Sequence, residues 1–242
     1  MPGRTSLLDE AISKREQAKA ERRLRIVKAA RDLIRETGDT DLSMRALSQR
    51  ADVSLSTPYN LFGSKRAVVL AVFEDERDFT ERFQRLETAN SIDRIFAAHD
   101  LAFGYYTSDP DFYRTIWRAL LNTRGQEETG LASPERLKQM RAIWYGLVNS
   151  AGEEGYLDKD IPVDMLLQSM AHLSGGVLLS WAMGSLPTEA LTSSVGMGYA
   201  LCLRGAATET GRPLLDVHLG QYCREQDSFR SRVSVSRISE TM

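Results

Sequence analysis

The sequence predicts an all-α protein, with a small three-helix head at the N-terminus and a larger helical body after it. Apolar residues recur at spacings of three and four along most of the 242 residues, which is the period of a helix buried on one face. No stretch shows a competing strand-like alternation. Gly, Ser and Pro residues separate the periodic stretches, where helices are expected to begin and end.

Length and cysteine content exclude several classes of protein. A chain of 242 residues can bury a sizeable core without support from disulfides or metals. Cys202 and Cys223 lie far apart and have no neighbours at metal-ligand spacing, so we expect free thiols, no metal site and no cofactor. No apolar run has the length of a signal-peptide core or a membrane span. We therefore expect a soluble protein of a reducing cytoplasm.

The charges are unevenly distributed along the chain. The net charge is −2 overall, but residues 1–66 hold 14 Lys and Arg against 9 Asp and Glu, a net charge of +5. The remaining residues hold 17 against 24, a net charge of −7. A basic head on an acidic body suits a protein that touches a polyanion with one end only.

Two helical segments precede the most informative stretch. Residues 1–21 are polar and contain much of a basic run that continues to Arg25, which predicts either an arm along DNA phosphates or a solvated helix extension. From residue 22 to 37 the apolar residues Ile26, Ala30 and Ile34 repeat at helical spacing, and Gly38 is a natural stop. This helix is expected to support the next two.

Residues 43–65 have the pattern of a helix, a tight turn and a second short helix. Met44, Leu47 and Ala51 recur at helical spacing behind Ser43, which is a good N-cap residue. The period then breaks, and a second helix follows. Ser54 or Ser56 is its expected N-cap, because Pro58 must lie within the first turn.

The second helix is expected to expose a polar, uncharged face. Leu55, Leu61 and Phe62 are predicted to face inward. The outward residues are Ser56, Thr57, Tyr59 and Asn60. Hydroxyl and amide groups can hydrogen-bond base edges or phosphate oxygens, and a helix fits the major groove. The pattern therefore predicts a DNA-reading helix-turn-helix.

Lys65 completes the candidate DNA surface. Gly63 can take a positive φ to end the second helix, and Ser64 can cap the next one. Lys65 then lies among free N–H groups, where an ammonium group and backbone amides together would bind a phosphate. The predicted DNA-binding residues are Ser43, Arg45, Ser54, Ser56, Thr57, Tyr59, Asn60 and Lys65.

At these residues the chain resembles the TetR family of bacterial transcription regulators. The recognition helix of that family ends in a tyrosine, a polar or histidine residue, an aromatic pair and a helix-starting lysine. The matching residues here are Tyr59, Asn60, Leu61, Phe62 and Lys65. The resemblance covers roughly residues 22–70, and it departs from the family pattern at Pro58 and Asn60.

The resemblance implies a division of the chain into four parts. They are a basic arm at 1–21, a helix-turn-helix domain at 22–70, an effector-binding and dimerisation body at 71–211 and a partly disordered tail at 212–242. A long helix at 64–86 is predicted to join head and body. The implied partners are operator DNA, a small apolar effector and a second copy of the chain, in a bacterial cytoplasm.

An aromatic stripe in the body can be either a ligand pocket or plain core. A pocket for an apolar molecule is built from such side chains with a few polar groups. The candidate ligand-binding residues are Phe96, His99, Phe103, Tyr106, Trp117, Leu121, Met140 and Trp144. Taken alone, His99 is more typical of a core histidine that is hydrogen-bonded internally.

The last two predicted helices, at 162–186 and 187–210, are apolar and rich in small residues. Paired glycines inside a helix cost stability unless another backbone must approach closely. The resemblance implies that these helices form a four-helix dimer interface, although packing within a monomer is the alternative. The candidate interface residues are Gly175, Gly176, Leu179, Met183, Gly198 and Leu201.

The function that these features predict is a sequence-specific DNA-binding regulator, expected to be a repressor released by its effector. An architectural DNA-binding protein without ligand control is one alternative. A helical small-molecule enzyme is a less favoured one, because the sequence lacks a nucleophile elbow, paired metal ligands and a phosphate-binding glycine loop. We therefore expect no enzymatic activity.

Overall fold

The computed structural model describes residues 3–75, 79–121 and 132–239, with side chains described for 14–75, 79–121 and 132–229. The helices in these ranges are α1 (Gly3–Thr37), α2 (Met44–Arg50), α3 (Ser56–Phe62), α4 (Lys65–Asp75), α5 (Phe79–Gln84), α6 (Ser91–Ser108), α7 (Pro110–Leu121), α8 (Pro134–Glu153), α9 (Val163–Ala182), α10 (Leu191–Arg204) and α11 (Gly211–Ser239), with a short 3-10 helix at Thr188–Ala190. The all-α prediction is confirmed. Outside the helices, the described ranges contain an isolated antiparallel β-bridge between Leu157 and Ala207.

The chain divides into two compact units. The head unit contains Met1–Glu76 and Thr115–Ala132, and the body unit contains Arg77–Arg114 and Ser133–Met242. Helix α7 begins in the body unit and ends in the head unit. None of the helices in the described ranges is long and apolar enough to span a bilayer.

The head unit has a core between α1, α2 and α4. Ile26, Ile34, Leu47 and Val72 are fully or almost fully buried there. The predicted helix boundaries are confirmed, because Gly38 ends α1 with φ +65° and the Ser43 hydroxyl accepts the Ala46 N–H at 3.3 Å. The basic segment before residue 22 continues α1 without a break.

The start of α4 also follows its predicted chemistry. Gly63 has φ +80°, and the Ser64 hydroxyl accepts the Ala67 N–H at 3.0 Å. Behind this cap, the buried guanidinium of Arg66 donates to the Leu120 carbonyl at 2.9 Å, near the end of α7. The expected long helix at 64–86 appears as α4 and α5, and residues 76–78 lie outside the described part.

The body unit is held together by α6, α8, α9, α10 and α11. The prediction of a C-terminal tail is wrong for residues 212–229, because α11 packs against α10 and α6 and buries Leu215 and Tyr222. Its polar groups reach α6 as well, since His218 Nε2 lies 2.8 Å from Asp93 Oδ1. The helical backbone is described as far as Ser239, and residues 240–242 of the predicted tail lie outside the described part.

Candidate functional site

The corner between α2 and α3 is closed by backbone hydrogen bonds. Asp52 adopts φ +53°, a left-handed conformation that Asp tolerates better than most residues. The Val53 N–H then returns to the Ser48 carbonyl at 3.0 Å. This geometry turns the chain sharply into α3, where the sequence placed the turn.

The first turn of α3 differs from its predicted capping. Leu55 occupies the N-cap position, and no side chain caps the helix there. The Ser54 hydroxyl instead pairs with the hydroxyls of Ser56, at 3.1 Å, and Thr57, at 2.7 Å. The expectation of a Ser54 or Ser56 cap is therefore wrong. Pro58 lies in the first turn as predicted, and it is buried.

The outer face of α3 carries the predicted polar residues. Ser56, Tyr59 and Asn60 are exposed, and Thr57 is half-buried. Leu55 was expected to face inward, but it lies at the N-cap position just before α3, and 55% of its surface is exposed. Ser43, Arg45 and Ser54 are also exposed, around α2 and the corner.

A basic stripe on α1 borders this face. Arg15, Lys19 and Arg22 follow one another at spacings of four and three, so they share one side of the helix. Together with Thr57 and Asn60 they line a groove of about 220 Å³. Nearby, the Arg23 guanidinium lies over the Phe62 ring at 4.1 Å and donates to the Leu61 carbonyl at 3.0 Å. The sequence showed the basic run, but the groove depends on how α1 packs against α3.

Lys65 is the first residue of α4, as predicted, but it has a partner within the chain. Its Nζ lies 2.5 Å from Asp41 Oδ1, and both side chains are well exposed. The hydrogen bond from Lys65 lowers the pKa of the Asp41 carboxyl below its usual value. An exposed ion pair of this kind is weak, so a phosphate can compete for the ammonium group.

The body unit contains a cavity of about 610 Å³ between α8, α9 and α10. Met140 and Trp144, two of the predicted ligand-binding residues, line it. Tyr199 and Met170 form its buried floor. Burial raises the pKa of Tyr199 to about 12, and a hydrogen bond with Ser174 partly opposes that effect.

Large apolar side chains are exposed on α9 and on α10. Leu179, Met183 and Leu201 are 45%, 66% and 54% exposed. Gly175 and Gly176 are exposed on the same helix, and an added Cβ there would meet no atom of the described chain within 4 Å. Large exposed apolar side chains beside small residues are typical of a surface that another helix covers.

Solved structures with a similar fold come from distant sequences. TylP, a tetR regulator from Streptomyces fradiae, has a TM-score of 0.57 and 18% identity over 86% of this chain and 97% of its own. A TetR transcription regulator from Haloarcula marismortui has a TM-score of 0.60 and 15% identity over 78% of this chain and all of its own. The fatty acid degradation regulator FadR from Bacillus halodurans has a TM-score of 0.56 and 21% identity over 75% of this chain and 94% of its own.

The helix-turn-helix gives the decisive match. A family model described as bacterial regulatory proteins, tetR family, matches residues 26–72, from α1 into α4. The helix-turn-helix segment of the chain belongs to the tetR family. The helix-turn-helix is accordingly that of a DNA-binding transcription regulator. No curated protein sequence matches the chain at a significant level.

The predicted ligand-binding residues belong to both units of the chain. Phe96, His99, Phe103 and Tyr106 are buried among other aromatic side chains of the body unit, with the His99 and Phe103 rings stacked at 4.9 Å. His99 Nδ1 lies 2.9 Å from Asp100 Oδ1, whereas its buried Nε2 has no hydrogen-bond partner in the described part of the chain.

Trp117 and Leu121 belong to the head unit, where Trp117 packs edge-on against Phe73 at 6.1 Å. The grouping of the eight residues into one ligand pocket stays a prediction. Of the predicted set, only Met140 and Trp144 line the cavity of the body unit described above.

One predicted interface residue of the body unit has an internal role. Gly198 is buried, and a Cβ there would lie 2.4 Å from the Leu173 side chain of the same chain. Its missing side chain therefore lets α10 approach α9, so its assignment to a dimer surface is wrong. Periodicity identified a close approach at Gly198, but it could not tell which helix makes that approach.

Proposed function

We propose that this tetR-family regulator binds operator DNA as a homodimer and is a repressor that a small, largely apolar effector releases. It would act in the bacterial cytoplasm. The observation that carries the proposal is the exposed, uncharged face of α3 beside the basic stripe of α1. Base reading and phosphate binding need these two kinds of surface next to each other.

The division of labour on the DNA follows from side-chain chemistry. Thr57 and Asn60 carry groups that can hydrogen-bond base edges in the major groove. Arg15, Lys19 and Arg22 are cations, which suit phosphates and add affinity without sequence preference. Lys65 joins the phosphate contacts by exchanging Asp41 for the DNA backbone.

The α9 surface supports a homodimer. One short recognition helix reads few base pairs, and two of them must lie about 34–36 Å apart to enter successive major grooves. The exposed apolar side chains of Leu179, Met183 and Leu201 would be covered by the same face of a second copy. Gly175 and Gly176 would allow two α9 helices to approach closely.

Sedimentation of the wild type and of a Leu179→Glu, Met183→Glu double variant tests the dimer. The wild type is expected to sediment as a dimer and the variant as a folded monomer that binds DNA at least tenfold more weakly, because half of the contacts are lost. A matched control is Val217→Glu, which changes an exposed valine on α11. A wild-type monomer, or a dimer in both variants, would refute this assembly.

Ligand control separates the proposal from an architectural DNA-binding protein. A regulator released by its effector must bind ligand and DNA in opposition, with a coupling of about 5- to 150-fold in either direction. An architectural protein would show little preference among DNA sequences and no such coupling. Titration of a bound operator with candidate apolar molecules, followed by fluorescence anisotropy, distinguishes the two.

A further inference from the structure

We propose that the cavity between α8, α9 and α10 binds an uncharged, mostly apolar molecule that carries one carbonyl or hydroxyl group. This inference rests on the proposed function, because it names the chemical class of the effector and the place where it binds. The cavity volume of about 610 Å³ falls in the usual range of small-molecule sites.

Unlike the aromatic stripe, the cavity contains space that no side chain fills. Along the stripe, the rings of Tyr106 and Trp181 are 5.8 Å apart and those of His99 and Phe103 are 4.9 Å apart, so a ligand would have to displace them. The cavity already has room between Met140, Trp144 and the helix α9. A preformed space avoids the cost of rearranging a packed core.

Its walls are mainly apolar and aromatic. Met140 and Trp144 are half-buried on α8, and Met170 is buried on α9. The Trp144 ring stands edge-on to Tyr199, with ring centroids 5.7 Å apart. Flat apolar surfaces of this kind favour a ligand with a hydrophobic, ring-containing body.

The two charged side chains of the lining have opposite signs, so the pair favours neither an anion nor a cation. Arg141 and Asp164 lie at the mouth, where Arg141 Nη2 donates to Asp164 Oδ1 at 2.9 Å. Both are exposed to solvent. An ionised group on the ligand, placed deeper among the apolar walls, would lose its hydration without meeting an opposite charge. The cavity therefore selects against charged molecules.

The floor of the cavity provides hydroxyl groups that can hydrogen-bond the ligand. The Tyr199 hydroxyl is protonated in neutral solution, as that of an ordinary tyrosine is, and burial raises its pKa further, to about 12. Ser174, its hydrogen-bond partner, lines the cavity beside it and also contacts the Met170 carbonyl at 2.9 Å. A hydroxyl can rotate to donate or to accept a hydrogen bond, so a carbonyl or a hydroxyl on the ligand could replace one of these internal partners.

The test uses the neutral naphthyl ketone prodan and dimethylaminonaphthoate, which has the same rings and a carboxylate in place of the ketone. Prodan is expected to bind saturably, one molecule per chain, with a blue-shifted emission. The carboxylate should bind at least roughly tenfold more weakly, because its charge is not matched. Equal or tighter binding of the carboxylate, or no saturable prodan binding, would overturn the proposal.

Two variants locate the site. Ala171→Trp fills the cavity from α9 and should abolish saturable prodan binding, whereas Tyr199→Phe should weaken it about three- to tenfold by removing one hydrogen bond. Tyr145→Phe is the matched control, since Tyr145 is exposed on α8 and does not line this cavity. Circular dichroism and thermal melting confirm that each variant is folded. Prodan binding that survives Ala171→Trp would place the ligand elsewhere and overturn the inference.

The same titrations separate this inference from the proposed function, because they contain no DNA. If prodan binds as stated while wild-type protein binds no specific DNA, the proposed function fails and the ligand class stands. If specific DNA is bound but neither naphthyl compound binds, the ligand inference fails and the DNA-binding function stands.

Discussion

The head and the body of this protein use polar side chains in opposite ways. On α3 of the head unit, Ser56, Tyr59 and Asn60 are exposed to solvent. In the body unit, the Tyr222 hydroxyl donates to Asp100 at 2.9 Å, and the Gln226 amide donates to Ser193 Oγ at 2.9 Å. The head keeps hydrogen-bonding groups available for a partner, whereas the body uses its own to fix helices against one another. Substitutions in the body should therefore change stability, and those on the head surface should change DNA binding.

The largest loss of stability is expected at Gly211, where the backbones of two segments of the body meet. A Cβ at Gly211 would lie 1.9 Å from the Tyr156 carbonyl oxygen, a backbone atom that cannot rotate away. Gly211→Ala should therefore lower the free energy of unfolding by about 2–4 kcal/mol. The melting temperature should fall by roughly 5–15 °C.

The control for this prediction is Gly220→Ala on the same helix. An added Cβ there meets only the flexible end of Arg224, at 3.3 Å, so its melting temperature should stay close to that of the wild type. The folded Gly211→Ala protein should bind DNA normally at low temperature. If both variants melt alike, the close approach of α11 to Tyr156 is not a structural constraint.

The second prediction concerns the buried tyrosine of the body at high pH. Tyr199 has a folded-state pKa of about 12, against an ordinary value of 10.0, so the folded state holds its proton where the unfolded state loses it. Its contribution to stability is complete below pH 10 and is lost as the pH rises towards 12. The loss should amount to about 2–3 kcal/mol.

Urea unfolding between pH 9 and pH 12 measures this effect. Tyr199→Phe should lose less stability over that range than the wild type, and the difference between the two curves isolates Tyr199. Tyr59→Phe alters an exposed hydroxyl of the head and should follow the wild-type curve. Parallel curves for wild type and Tyr199→Phe would contradict the burial of that hydroxyl.

The third prediction concerns the phosphate contact of Lys65 in the head. Lys65→Ala should weaken DNA binding about five- to tenfold for all sequences, and it should lower the salt slope by about one unit, because one phosphate contact is lost. The melting temperature should barely change, since Lys65 is exposed. Lys159→Ala, an exposed lysine of the body, is the matched control. Anisotropy titrations at several salt concentrations measure both quantities, and an unchanged slope would remove Lys65 from the phosphate contacts.

The smallest change in DNA affinity is expected at Asp41, the partner of Lys65. Asp41→Asn releases the ammonium group from its ion pair and removes a negative charge near the DNA, so binding should strengthen about two- to threefold. Asp39→Asn, in the same loop, is the comparison for the general effect of charge. Equal gains in both variants would show that the ion pair does not compete with phosphate.

The contrast between head and body also explains which features of the structure could be predicted from the sequence. The helix boundaries at Gly38, Ser43 and Gly63 were predictable because each depends on a conformation or a hydrogen bond within a few residues. The exposed face of α3 was predictable for the same reason. These features are local, so the residue types alone carry the information.

The parts that were not predictable depend on contacts between distant segments. The aromatic period of α6 is the same whether Phe103 lines a pocket or stacks on His99, and only the packing of the other helices decides. Gly198 required a close neighbour, but Leu173 could not be identified from spacing. The groove beside the basic stripe of α1 likewise could not be predicted, because its other wall is formed by residues of α3.

The central claim is that the exposed face of α3 reads DNA sequence, and selection from a pool of random duplexes tests it most directly. The wild-type protein should enrich an inverted repeat whose half-sites are one or more helical turns apart, about 10–10.5 base pairs per turn. A Ser56→Ala, Thr57→Ala, Asn60→Ala variant should stay folded and should lose or change that sequence, while Lys65→Ala should select the same repeat with lower affinity. Enrichment of an identical sequence by the triple variant, or of no sequence by the wild type, would contradict the account.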